Sequence, residues 1–176
     1  MSPMEIAQAV GFLALFFNLI AFQYNSRVRI TWIRTIGNVL FAIHYYLLGA
    51  LTGMAMNAIN LPRNIIFLQN EKYAWARSYL WPVGFSMLYI LASIYTWVGV
   101  ISIFPAIGNI FGIASVWLPN PRHIRIAAIC GGLAWVAYNI AVISYPGLIS
   151  GIISMASITI GIYRFDREYY HHKFVV

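Results

Sequence analysis

Acidic residues are almost missing from this sequence: 176 positions hold four, Glu5, Glu71, Asp166 and Glu168. None lies within an apolar run, which excludes a carboxylate proton relay at membrane depth. Charge of either sign is scarce, at 9% against about 25% in an ordinary soluble domain. The single cysteine, Cys130, rules out an intrachain disulfide and reads as a small buried hydrophobe. No apolar run contains a lysine for a Schiff base, and there is no Walker loop, H-E-x-x-H pair or C-x-x-C pair. No nucleophile stands with a base and an orienting acid, so nothing points to an enzyme, a cofactor or a metal. Adjacent His171 and His172 lack a third ligand at helical spacing and read as a juxtamembrane surface segment.

Hydrophobic residues are what the chain has in excess, at 61%. Basic clusters break them up: Arg27, Arg29 and Arg34; Arg63, Lys72 and Arg77; Arg122 and Arg125; Arg164, Arg167 and Lys173. Stretches of about 28 to 45 residues without positive charge separate the clusters. Each stretch suits an out-and-back pair of helices, given that roughly 20 apolar residues span a bilayer. Cytoplasmic loops collect Lys and Arg, so every cluster reads as a cytoplasmic loop. The basic balance therefore reports topology and lipid contact, with no nucleic-acid partner. The opening residues, Met1 to Glu5, carry an acid and no basic residue, so the first run reads as a permanent span.

Spans are expected at about 5–24, 31–49, 52–70, 79–97, 101–118, 125–144 and 147–164. As one helix, the run from Tyr79 to Leu118 would be about 60 Å long, twice the hydrocarbon thickness. It therefore divides, with a turn near Trp97–Gly99. The expectation is an all-α integral membrane protein of seven transmembrane helices, a single membrane domain over residues 1–176, N-terminus outside and C-terminus inside. Tyr24, Trp32, Tyr73, Trp75, Trp81, Trp97, Trp117 and Tyr163 fall near span ends, as interfacial anchors do.

Seven spans divide as three, one and three. A first three-helix repeat over residues 5–70 and a second over 101–164 run parallel once a linker helix at 79–97 restores direction, leaving 165–176 as a cytoplasmic tail. In each triplet a basic loop follows the first helix and an uncharged hairpin joins the next two. A shift of 94 residues pairs Gly37 with Gly131, Phe41 with Trp135, His44 with Tyr138, and Gly53 with Gly147. Few other positions match.

Polar side chains within the spans are the functional candidates, because at membrane depth they face a bundle interior or a water-filled cavity. They include Asn18, Asn38, His44, Asn57, Asn60, Arg63, Asn64, Asn109 and Asn139, with Ser150, Ser154 and Ser157 on the last helix. Asn57, Asn60 and Asn64 share one helical face. Two readings stay open: a pathway for a polar solute, or interhelical hydrogen bonds that hold the bundle together. Arg63 either snorkels to the cytoplasmic interface or lines the cytoplasmic mouth. Pro62 and Pro105 are expected to bend their helices.

The stretch "GNVLFAIHYYLLGALTGMAMNAINLPRN" from Gly37 to Asn64, "PAIGNIFGIASVW" at Pro105 to Trp117 and "WVAYN" at Trp135 to Asn139 resemble the YgjV family of bacterial inner-membrane proteins. Two departures stand out: Tyr138 occupies a position where that family often has His, and Pro62 precedes Arg63. The resemblance implies a bacterial inner-membrane location and supplies no substrate. More remotely, the three-one-three plan is similar to SWEET sugar facilitators and PnuC vitamin transporters; the sequence leaves the oligomeric state open, and that analogy is compatible with a homo-oligomer such as a trimer.

The function expected is facilitative transport of a small polar solute by alternating access between two three-helix bundles. His44, Asn57, Asn60, Trp135, Tyr138 and Asn139 are the expected substrate-binding residues, with Arg63 at the cytoplasmic mouth. The rival is a non-transporting interaction, accessory or sensor protein whose intramembrane polar residues are structural.

Overall fold

In a computed structural model of the chain, the backbone is described for residues 2–21, 23–24, 26–117 and 121–173, and side chains for most of these up to residue 163. The described residues form seven α-helices: α1 (Pro3–Ala21), α2 (Arg27–Leu47), α3 (Leu51–Leu68), α4 (Leu80–Tyr95), α5 (Ile103–Trp117), α6 (Pro121–Ala141) and α7 (Tyr145–Lys173). Short 3-10 turns at Ala74–Arg77 and Val100–Ser102 precede α4 and α5. The break between α4 and α5 falls where hydrocarbon thickness requires one.

Proline explains several helix starts. It is the first residue of α1 and α6, the second of α7 and the third of α4 and α5. In a first turn its missing N–H is not needed. Pro105 therefore starts α5 and does not bend it, while α3 runs as one helix through Pro62. α7 continues to Lys173, so most of the expected tail is helical and its histidines lie on that helix, with side chains outside those described.

Among the described residues, α1 and the Arg122–Ala141 part of α6 are long and apolar enough to cross a membrane by length and composition alone. Arginines and His44 dilute α2, and three asparagines with Arg63 dilute α3. Within the described residues, the apolar stretches of α4, α5 and α7 are shorter.

The helices pack in chain order within each half: α1 on α2 on α3, and α5 on α6 on α7. Between halves, α1 meets α7 and α3 meets α5, while α4 lies against α3 and α5. Small residues permit the closest approaches, as is usual between membrane helices. A Cβ on Gly131 would come within 2.9 Å of the Gly108 carbonyl oxygen, so α5 and α6 touch through their backbones.

The α2–α3 and α6–α7 turns are built alike. Gly49 N–H bonds Tyr46 O (2.9 Å) and Ala50 N–H bonds Tyr45 O (2.8 Å); 94 residues on, Ile143 N–H bonds Ile140 O (3.3 Å) and Ser144 N–H bonds Asn139 O (2.9 Å). Both are helix ends of the Schellman type, which place one residue in the left-handed region. Gly49 takes that place at φ 70° and Ile143 at φ 54°. These two turns and the α4–α5 turn lie at one end of the bundle, where Gln8 Nε2 donates to Ile143 O (2.8 Å) and Thr96 Oγ1 donates to Thr52 Oγ1 (2.9 Å). We call this the hairpin end and its opposite the basic-loop end.

Candidate functional site

A cavity of about 440 Å³ lies between the two halves of the bundle. It stops at Tyr45, Asn139 and Gly147 near the hairpin end and reaches Thr31, Arg34 and Leu68 near the basic-loop end. That volume is in the range of small-molecule sites.

Its lining is polar because α2 and α3 turn their amides inward. Asn57 and Asn60 are buried and Asn64 is half-buried on the shared face of α3, opposite Asn38 of α2. α5 contributes Asn109, α6 Trp135 and Asn139, and α7 Ser150 and Ser154. Asn57 Nδ2 donates to Gly53 O (2.9 Å). Tyr89 of α4 donates to Asn60 Oδ1 (2.6 Å) and accepts from Arg63 Nη1 (3.2 Å), while Arg63 Nη2 donates to Asn64 Oδ1 (2.8 Å). Arg63 thus lines the cavity with its guanidinium held by two neutral oxygens.

Aromatic rings form the hairpin-end wall. Tyr45 stacks on Phe41 and on Trp135, each with centroids 5.9 Å apart. The Tyr45 hydroxyl donates to Asn139 Oδ1 (2.7 Å), joining the halves across the cavity's closed end. Beside it, the Tyr138 hydroxyl accepts from Gly53 N–H (2.8 Å). A Cβ at Gly53 would come within 2.9 Å of the Tyr45 ring and 2.8 Å of the Tyr138 ring. At the corresponding place in α7, a Cβ on Gly147 would collide with Asn139 Oδ1 and Ser144 Oγ.

Of the residues expected to contact a solute, Asn57, Asn60, Trp135 and Asn139 line the cavity, as does Arg63. His44 and Tyr138 stand behind its wall. His44 is fully buried, with Nδ1 2.6 Å from Ala7 O and Nε2 2.8 Å from Ser144 Oγ. A carbonyl only accepts, so Nδ1 carries the proton and Nε2 accepts from the serine hydroxyl. Neutral imidazole meets both partners and ties α1, α2 and the start of α7 together.

Arg34 and Tyr45 are among the lining residues that sequence reasoning missed. Arg34 was grouped with a loop, although it lies eight positions into α2 and reaches the cavity. Tyr45 was hidden by its neighbour His44. The 94-residue shift carries the missing signal, because it pairs Tyr45 with Asn139.

No curated protein and no solved structure matches the chain. Residues 5–169, nearly its full length, match Imp-YgjV, a family of bacterial inner membrane proteins, and the protein belongs to that family.

Proposed function

We propose that this inner-membrane protein is a facilitative transporter of a small polar solute, with no enzymatic activity. In this reading residues 5–70 and 101–164 are parallel three-helix repeats joined by α4, with the hairpin end outside and the basic-loop end in the cytoplasm. The observation that carries it is the cavity: it draws polar residues from both halves, ends at a hydrogen-bonded wall on one side and extends to the helix ends on the other. Glue between helices does not require an unfilled volume of this size.

Two features support the repeat. The backbone hydrogen bonds of the two hairpin turns match at a shift of 94 residues. Exchanging the halves also converts the α1–α7 contact into the α5–α3 contact. Alternating access then requires the hairpin-end wall to open. The cross-half side-chain bonds to be released there include Tyr45–Asn139, Tyr138–Gly53 and His44–Ser144, each between groups that water can satisfy. With no carboxylate among the described lining residues, uniport is the simplest mechanism.

The test is thiol accessibility in sealed, oriented vesicles. With Cys130 replaced by Ser, a Ser150→Cys variant should react with a membrane-impermeant maleimide quickly from the cytoplasmic side and more slowly from the outside. Reaction from one side only would exclude a carrier and favour the accessory or sensor protein.

A further inference from the structure

The amides lining the cavity both donate and accept, so they do not select for charge. Two other groups do. Arg34, which is exposed, and Arg63, which is half-buried, both line the cavity. Among the described residues no Asp or Glu lines the space. Arg63 spends its described hydrogen bonds on a phenol and an amide. Two guanidiniums lining one cavity, with no carboxylate among its described lining residues, give that space a positive potential.

Asn109 adds an independent observation. It is 5% exposed, and its Nδ2 is buried without an acceptor. An NH2 group can only donate. A buried donor left unpaired is costly, and Asn109 lines the cavity, so an acceptor that reached this amide would be favoured. Phe41, Tyr45 and Trp135, stacked on one another, complete the apolar side of the space.

We infer that the cavity binds a small anion, a ring-bearing carboxylate whose oxygens meet Arg34, Arg63 and Asn109 and whose ring lies against the aromatic wall. This assignment rests on the carrier reading and names its substrate class. A carboxylate matches the donors, and its ring matches the stacked aromatics. A cation would be repelled, and a neutral solute would leave the two positive charges uncompensated.

The test uses one ring in three charge states: benzoate, benzamide and benzylamine, titrated against the purified full-length protein in detergent while its melting temperature is followed. A ligand that binds only the folded protein raises that temperature with its concentration. Benzoate should raise it, benzamide much less and benzylamine not at all. Asn109→Leu should weaken benzoate by about tenfold or more, the effect of losing a hydrogen bond to a charged group. Because Nδ2 is unpaired in the empty protein, this variant should melt no lower than the parent without ligand. Arg34→Gln should weaken benzoate similarly.

Equal effects of benzoate and benzamide, a preference for benzylamine, no response to any of the three, or a benzoate shift indifferent to both substitutions would each overturn the assignment. Failure of the carrier reading is separate: it would appear as one-sided labelling of Ser150→Cys, whatever benzoate does.

Discussion

At the scale of single residues, the clearest strain is at Ile143. A β-branched side chain in the left-handed region is an outlier, costing about 1–2 kcal/mol. The turn keeps it there through the bonds to Ile140 and Asn139 and through Gln8, which takes the Ile143 carbonyl. Ile143→Gly should relieve the strain and lose about 0.5–1 kcal/mol to the freer unfolded chain, leaving a net gain of about 0.5–1 kcal/mol. Thermal or detergent denaturation checks this, and a loss of stability would show that the isoleucine makes contacts that outweigh its backbone. The sequence revealed such residues only in part. It marked His44 as a polar group at depth, but its partners Ala7 and Ser144 lie 37 and 100 residues away, and no local pattern encodes them. Asn57, Asn60 and Asn139 were easier to place, because a buried amide advertises an interior face by its type alone.

At the scale of elements, most helix starts were legible within a few residues because hydrophobic runs, basic clusters and prolines mark them. The end of α7 was not: apolar residues stop near Tyr163, while the helix runs on to Lys173. Helix formation does not need an apolar face where the chain leaves the bilayer. Which faces meet was also hidden, since glycines set the approaches and glycine spacing alone does not name a partner. Gly147→Ala should cost about 1–3 kcal/mol, since its methyl group must displace Asn139 or Ser144 and with it the Tyr45–Asn139 bond. Gly84→Ala in α4 is the contrast: nothing lies within 4 Å of its Cβ position, and better helix propensity should add about 1 kcal/mol. Similar effects at both positions in a denaturation series would refute the packing drawn at Gly147.

At the scale of the whole molecule, the proposed uniport and the proposed anion binding together fix a direction. Each elementary charge moved across a membrane is worth about 2.3 kcal/mol per 100 mV, or roughly a 50-fold concentration ratio. A cell interior is negative, so a uniporter of a monovalent carboxylate should export it. Benzoate-dependent charge movement in proteoliposomes, with the potential set by potassium and valinomycin, should reverse when the potential reverses. A flux that carries no charge would point to proton-coupled movement. The Tyr45–Asn139 bond has a consequence of another kind. On the proposed repeat these residues hold corresponding positions, and yet they touch each other. Positions that meet their own counterparts lie on a two-fold axis. In an ancestor assembled from two identical chains, that place would hold the same residue twice, and any mutation would change both copies at once. A phenol bonded to an amide there requires the two copies to have been inherited separately. The bond is therefore younger than the gene duplication that made such divergence possible.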